Sequence, residues 1–411
     1  MTRAGESIAL VSLGCAKNAV DLQVLAGRLV KGGCRLSSDP DRADAVIINT
    51  CAFIASAREE AECEIRRALE LKRRGRYGRV IVTGCYPQRY PDAAAKFPGV
   101  DEWRGVPSTW EEQAVPGLRL TGKAFAYLKV AEGCSHRCSY CAIPSIRGAF
   151  RSRPMASVLK EAKALLESGC RELNVVAQDP MLWRDSRHTL PDLLWKLDDL
   201  EGDFWVRVLY SYPNEITPDF LEWMSGSRHA ARYIDVPLQH TVPEVLVRMN
   251  RRAAVEATLS AADRLRAAVP GVTLRTTVMT GFPGETQRRF EQMLGDLDRM
   301  DFDRLGAFAY SPEKGTAAYS MHGRPSAVVA RERERIVMAR QAKRWKRKAA
   351  GFVGKTFRAL VVAPGVARLE SQAPDVDGVV RISGDAAVGE FASVRIVSAE
   401  GFDFTGKTTK G

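Results

Sequence analysis

The apolar positions of the N-terminal third repeat one pattern three times. Ser7 to Leu13 is a short apolar run of the kind a buried strand shows. Gly14-Cys15 follows it, and Lys17 to Lys31 has helical spacing. Ala45 to Asn49 repeats the strand and Cys51 follows, after which Ile54, Ala61, Ile65, Ala68 and Leu69 mark one face of a second helix. Arg79 to Thr83, then Gly84-Cys85, then a helix-like stretch from Pro91 to Lys96 make the third round. Strands alternating with helices predict a doubly wound α/β domain, whose mostly parallel sheet gathers the loops at its carboxyl edge. Cys15, Cys51 and Cys85 are thereby predicted to meet. The plain alternative is three buried cysteines at strand ends, a common place for them. Cys34, Cys63 and Cys170 lack the coincidence of strand, Cys and helix, and read as structural.

Glu102 to Gly122, rich in Pro, Gly and Trp, suits a domain boundary. The chain then divides into residues 1–118, 119–350 and 351–411. In the middle part, strand patterns at Phe125–Val130, Leu173–Ala177, Trp205–Tyr210, Tyr233–Val236, Thr273–Met279 and Leu305–Ala309 alternate with helical ones. The helices are Met155–Glu167, Leu190–Leu200, Pro218–Met224, Val255–Ala268 and Gln287–Met300. Six such units predict a partial (β/α) barrel with its site at the carboxyl ends of the strands. That rim would carry a Cys loop, Gln178-Asp179, Ser211-Tyr212, Gln239-His240, the GFPGE turn at Gly281 to Glu285, and Tyr310-Ser311. Each alone could be turn chemistry; together they form a candidate cofactor pocket. Arg275, within the fifth strand, could point into the barrel toward a carboxylate, or serve in a structural ion pair.

Arg331 to Lys348 is a helix pattern with nine Lys or Arg against two Glu. Two readings stand: a solvated helix joining two domains, and a nucleic-acid contact. From Phe352 onward, short Val-rich strands at Ala359–Val362, Gly378–Ile382 and Ala392–Val397 between Gly, Pro and Asp turns predict a small antiparallel β-barrel. This last section holds seven basic and seven acidic residues, so the net charge of +12 lies before it. A neutral barrel bearing the acidic loop Asp375-Val376-Asp377 suits a basic protein partner better than a phosphate backbone.

The first ten residues hold no apolar run of signal-peptide length and no later stretch approaches a membrane span, which predicts a cytoplasmic protein. Nine Cys in that compartment favour metal or catalytic use over disulfides. Three of them, Cys134, Cys138 and Cys141, are spaced C-x3-C-x2-C just past the first barrel strand. Three thiolates on one loop can hold three irons of a cubane and leave the fourth iron for a cofactor. A zinc site usually closes with four ligands, and no second ligand pair follows at zinc spacing. His136, between two of the Cys, reads as an exposed loop residue rather than the fourth ligand.

The spacing, with Tyr140 before the last Cys, resembles the radical S-adenosylmethionine enzymes. SLGCAKN at Ser12, YLKVAEGC at Tyr127, CAIPSIRG at Cys141, AQD at Ala177 and QAPDVDG at Gln372 resemble the RimO-type branch of the methylthiotransferases over almost the whole chain. That resemblance implies an N-terminal methylthiotransferase domain, a radical barrel and a C-terminal TRAM domain. It implies one [4Fe-4S] cluster on Cys134, Cys138 and Cys141, and an auxiliary [4Fe-4S] cluster on Cys15, Cys51 and Cys85. S-adenosylmethionine would be both radical source and methyl donor, with Tyr140 near the adenine and Gln178, Asp179 and Arg275 toward the methionine part. The substrate implied is an aspartate β-carbon in the twelfth protein of the small ribosomal subunit. Its hydrogens are beyond a side-chain base at neutral pH but within reach of a radical. The partners implied are that protein, an electron donor and, through the basic helix, ribosomal RNA. Two departures stand out: Asp21 is followed by Leu22-Gln23 where the branch usually has an acidic residue, and AQDPM replaces an AQDTT-like run. Two other functions compete: methylthiolation of an adenosine in tRNA, and a non-catalytic iron–sulfur RNA-binding or redox-sensing protein.

Overall fold

The computed structural model describes residues 4–39, 41–106, 118–252 and 255–409; the stretch 107–117 of the expected connector lies outside them. The chain forms two compact units. One comprises residues 1–120, 132–136 and 141–153, the other residues 121–131, 137–140 and 154–411.

The first unit is a parallel sheet of β1 (Ser7–Ser12), β2 (Arg35–Leu36), β3 (Ala43–Thr50), β4 (Tyr77–Gly84) and β5 (Glu102–Trp103), in the order β2-β1-β3-β4-β5. Its helices are α1 (Ala16–Lys31), α2 (Ala55–Arg73) and the short α3 (Cys85–Arg89). Central β3 is buried at seven of eight positions, because both faces of a doubly wound sheet are covered. Ala45 and Ile47 face Leu22 of α1, whereas Val46 and Ile48 face Ala61, Ile65 and Ala68 of α2. Pro91–Lys96 is a 3-10 helix, with Pro91 in its first turn, where a missing N–H costs nothing.

The chain continues through β6 (Phe125–Lys129), β7 (Ala131–Glu132), α4 (Ile143–Arg147) and β8 (Arg151–Ser152), the last two within the first unit. The second unit adds α5 (Met155–Glu167), β9 (Glu172–Val176), a hairpin of β10 (Arg184–Asp185) and β11 (His188–Thr189), α6 (Leu190–Asp198) and β12 (Trp205–Val208). Then come α7 (Pro218–Gly226), β13 (Tyr233–Asp235), α8 (Pro243–Arg248), α9 (Val255–Ala268), β14 (Thr273–Thr280), α10 (Gln287–Met300), β15 (Arg304–Ala309) and α11 (Ala327–Ala350). Sheets β12-β9-β6 and β13-β14-β15 are all parallel and meet through a bridge between Val206 and Ala230. They make the six-stranded partial barrel expected from the alternation.

The last strands, β16 (Thr356–Ala363), β17 (Val366–Leu369), β18 (Val380–Ser383), β19 (Phe391–Glu400) and β20 (Asp403–Thr408), close a barrel in the order β16-β17-β18-β20-β19. Its pairings are antiparallel except the parallel one between β18 and β20. Trp345 of α11 belongs to its core with Val361, Leu369, Val394 and Phe404.

Much of the α11 charge holds the fold together. Arg333 and Arg344 are buried, Arg340 pairs with Asp298, and Lys348 reaches Asp303 and the carbonyl of Asp301. Six of the nine cations are exposed, and three of them, Arg331, Lys343 and Lys346, join no ion pair among the described residues.

The QAPDVDG segment departs from expectation. Asp377 is buried and accepts from Tyr233 and the Ala373 N–H, and Asp375 accepts from the Tyr127 hydroxyl at 2.6 Å. Asp377 is thereby turned into the protein, where Arg275 also faces it, whereas Asp375 stays exposed with its charge toward solvent. Beside this segment, buried Glu172 takes both Arg368 and Arg207, and Arg207 also donates to the Glu370 carbonyl. Among the described residues no helix is long and apolar enough to cross a membrane.

Candidate functional site

The three rounds of the first unit end side by side. Ser12 is registered with Asn49, Asn49 with Thr83, and Thr50 with Gly84, so Cys15, Cys51 and Cys85 leave three neighbouring strands at one edge. Two glycines let the backbone come this close. Gly14 has φ +93°, and a Cβ there would lie 2.7 Å from Cβ of Cys51. Gly84 has φ +100°, and a Cβ would lie 2.3 Å from Oδ1 of Asn49 and 2.7 Å from the Thr50 carbonyl. Asn18 ties the loops together, donating to the carbonyls of Leu13 and Thr50 at 3.0 Å each, while its own carbonyl accepts from Asn49 at 2.6 Å.

The three thiols feel one another. Burial pushes Cys51 up to about 11, with the like charges of Cys85 and Cys15 adding to it. Burial also raises Cys85 against the pull of Arg147. Cys15, the residue capping α1, is exposed; the desolvation its neighbours impose raises its thiol, but Lys17, the Asn18 N–H and Arg147 outweigh that and lower it. A positive ion placed among them would remove the repulsion and favour all three thiolates. The chemistry of this donor set fits an iron–sulfur cluster. Among the described residues no group of three His, Cys, Asp or Glu converges as the ligands of a single metal ion do. Cys34 lies in the apolar cluster under α1 and Cys170 is fully buried, whereas Cys63 is exposed on α2.

The Cys loop contributes to both units. In the first, the Cys134 N–H donates to the Gly148 carbonyl at 3.1 Å, and Cys141 Sγ accepts from the Ile143 N–H at the start of α4 at 3.4 Å. Gly133 has φ +79°, and a Cβ there would collide with the Ala149 carbonyl at 2.2 Å. His136 is half-buried rather than exposed.

In the second unit, Ser139 is clamped. Its N–H donates to Met249, its hydroxyl to the Arg248 carbonyl, and its carbonyl accepts from Ala318. Arg251, buried, directs Nη1 at Cys138 Sγ at 3.9 Å and stacks over the Tyr212 ring at 4.0 Å. Nothing in the sequence pattern distinguished Arg251 from other helix-end arginines. Tyr140 packs edge-on against Phe282 in a cluster with Met249, Met279 and Tyr310.

The rim of the partial barrel carries polar atoms that the protein leaves unsatisfied. Ser211 Oγ, Gln239 Oε1, Thr241 Oγ1 and the Tyr310 hydroxyl are buried without a hydrogen-bond partner among the described residues. All four follow the carboxyl ends of β12, β13 or β15. Gln239 also holds φ +69°, a conformation that costs a non-glycine residue of order 1 kcal/mol. Asp179, just past β9, is buried and accepts from the Met181 N–H at 3.1 Å, with Gln178 preceding it.

Two expected rim groups are otherwise engaged. His240 Nε2 meets Glu285 at 3.1 Å, and Glu285 also takes the Gly281 N–H and Arg333 at 2.6 Å. Gly281 has φ +74° and lies against Ala330, so the GFPGE turn is fastened to α11. Arg275 is the third residue of β14, about 16 Å of strand short of its carboxyl end, and pairs with Asp235 at 2.9 Å and Asp377 at 3.7 Å. It occupies the structural ion pair that was the alternative to a cofactor contact.

Three family models match the chain: the Radical SAM superfamily over residues 128–297, Uncharacterized protein family UPF0004 over residues 7–105, and the TRAM domain over residues 353–408. The chain is 37% identical to the ribosomal protein uS12 methylthiotransferase RimO of Geobacter sulfurreducens, with 99% of each chain covered. It is 39% identical to the RimO of Moorella thermoacetica, over 97% of this chain and 99% of that one. Among solved structures, the radical S-adenosylmethionine methyltransferase TsrM of Kitasatospora setae aligns at a TM-score of 0.56 and 16% identity over 77% of each chain, a likeness of fold.

Proposed function

The chain belongs to the RimO family of ribosomal protein uS12 methylthiotransferases, which are radical S-adenosylmethionine enzymes, and on that premise we propose how its residues divide the work. Cys134, Cys138 and Cys141 hold the cluster that every radical barrel of this kind needs, and Cys15, Cys51 and Cys85 hold a second, auxiliary one. When bound, the first cluster and S-adenosylmethionine supply the radical, and the second supplies the sulfur. The observation that carries the two-cluster reading is the convergence of three strand-end thiols, with Gly14 clearing the approach to Cys51 and Gly84 that to Asn49 and Thr50.

The remaining residues bind and orient. Ser211, Gln239, Thr241 and Tyr310 offer their unsatisfied atoms to the polar amino-acid end of S-adenosylmethionine, beside Gln178 and Asp179. Burying such atoms is unfavourable until a ligand pairs them, which ties binding to recognition of the correct cofactor. Tyr140 and Phe282 give the apolar surface on which a purine can pack. The substrate is the aspartyl β-carbon of uS12. The exposed cations Arg331, Lys343 and Lys346 suit contact with the ribosomal RNA around it.

The test is parallel incubation of the anaerobically reconstituted enzyme with uS12 and with tRNA, followed by mass spectrometry. A gain corresponding to SCH3 in place of H on one aspartate of uS12, with unmodified tRNA, is expected. Methylthioadenosine in the tRNA digest beside unmodified uS12 would refute the substrate assignment. Absence of 5′-deoxyadenosine under reduction would refute the catalytic one.

A further inference from the structure

One cation of the first unit reaches into the N-terminal thiol set. Arg147, the last residue of α4, is 6% exposed and makes five hydrogen bonds. Nη1 donates to Asp21 at 2.8 Å and to both Glu132 oxygens at 3.1 Å; Nη2 donates to Asn18 Oδ1 at 2.5 Å and to Cys85 Sγ at 3.4 Å. A buried arginine needs only its carboxylates to be compensated. Here half the fork is turned away from them toward an amide oxygen and a thiol. The helix that carries it is only five residues long and starts where the Ile143 N–H meets Cys141 Sγ. Ala142 and Ile146 pack on Cys85, so both ends of this segment touch a proposed cluster ligand within one unit.

We propose that Arg147 is a positioning residue of the auxiliary cluster, which fixes Cys85 through an N–H···S bond and raises the reduction potential of the cluster held by Cys15, Cys51 and Cys85. The proposal rests on the assignment of that triad made above. Reduction adds negative charge to the cluster and its thiolates. A donor and a full positive charge at one sulfur stabilise the reduced form more than the oxidised one. Without Arg147, the negative charges of Asp21 and Glu132 would be less balanced in the same pocket and push the potential further down. Asp21 adds a negative charge to the same pocket, and removing that charge moves the potential the other way.

The experiment uses the full chain with Cys134, Cys138 and Cys141 replaced by Ala, so that one cluster remains, with iron analysis and an EPR-monitored redox titration. R147Q is expected to lower the oxidation–reduction equilibrium constant about tenfold, which is 59 mV for a one-electron couple. R147K, which keeps the charge but not the fork, lowers it less. D21N raises it. An arginine that served folding alone would leave the potential unmoved in R147Q and R147K, and that result overturns the proposal. Should R147Q fail to fold or to take up iron, R147K decides: a lowered potential supports the N–H···S role and an unmoved one overturns it. If the triple-Ala parent itself binds no iron, the assignment of the triad falls, and the proposal with it. Four irons with unmoved potentials would remove only the role of Arg147.

Discussion

The two ends of the six-stranded barrel use their polar groups differently. At the amino end, most carboxylates and tyrosines are paired: Glu172 with Arg368 and Arg207, Arg275 with Asp235 and Asp377, Tyr233 with Asp377 and Tyr127 with Asp375. Arg304, without a hydrogen-bond partner among the described residues, lies over the Trp345 ring at 3.5 Å. At the carboxyl end, four buried polar atoms have no hydrogen-bond partner among the described residues and Gln239 is held in a left-handed conformation. The amino end spends its polar groups on attaching the C-terminal barrel to the partial one. The carboxyl end keeps them available at a cost in stability, which is what a site awaiting a polar cofactor requires. Substitutions at the two ends should therefore fall into separate classes, one changing stability and the other changing chemistry.

The largest effect belongs to the carboxyl side. C138A should reduce 5′-deoxyadenosine formation to background and halve the iron, from about eight to about four per chain. The triple change of Cys15, Cys51 and Cys85 to Ala should halve the iron equally but leave some cleavage, uncoupled from sulfur insertion. Iron at the wild-type level after that triple change would show those thiols to be structural.

At the amino end, R368M leaves Glu172 buried with one partner instead of two and should cost about 3–5 kcal/mol in denaturant unfolding. The same pair gives a pH signature. Burial pushes the Glu172 carboxyl up, but Arg368 and Arg207 outweigh it and hold it below its ordinary value. A carboxyl depressed in the folded state contributes stability above its unfolded pKa, about 4.3, and loses it as pH falls through the lower folded value. Acid unfolding should thus be less pH-dependent in R368M than in the wild type. Equal acid slopes would show that Arg368 does not set the ionisation of Glu172. Y233F, which removes the hydroxyl from buried Asp377, should cost about 1–3 kcal/mol, with cleavage per folded molecule unchanged.

How far the sequence foretold this division differs from residue to residue. Cys15, Cys51 and Cys85 were legible because each follows a strand whose period and length are local properties. The six barrel strands were legible for the same reason. Arg147 was not: its partners Asp21 and Asn18 lie more than a hundred positions away, and no periodicity records which helix end meets which strand end. Arg275 shows a different limit. Its place in a strand suggests that it could face a carboxylate, but not that Asp235 of the neighbouring strand and Asp377 from the far end of the chain would both supply one. Asp375 and Asp377 show a third, since counting charges says nothing about which way a carboxylate turns. The orphan atoms of the rim have no sequence signal at all, because Ser, Thr, Gln and Tyr after a strand are ordinary turn residues until their partners are found missing.

The smallest effect is the sharpest test of the contrast, because its two halves have opposite signs. Thr241 is fully buried and its hydroxyl has no protein partner among the described residues. T241V keeps the shape and removes only the unpaired hydroxyl. If that atom awaits the cofactor, the variant should be more stable by about 1 kcal/mol, since an unsatisfied buried group is lost. It should also bind S-adenosylmethionine about tenfold more weakly, because one hydrogen bond to a polar or charged ligand group is worth about 1.4 kcal/mol. Thermal unfolding of the apoprotein and equilibrium dialysis of the reconstituted enzyme measure the two separately. A hydroxyl satisfied by a permanent buried water would give the reverse stability change, a loss, with affinity unaltered. Loss of a hydroxyl that already has a protein partner, such as that of Tyr233 or Tyr127, should only destabilise. A T241V variant that behaved like Y233F would erase the distinction between the two ends of the barrel.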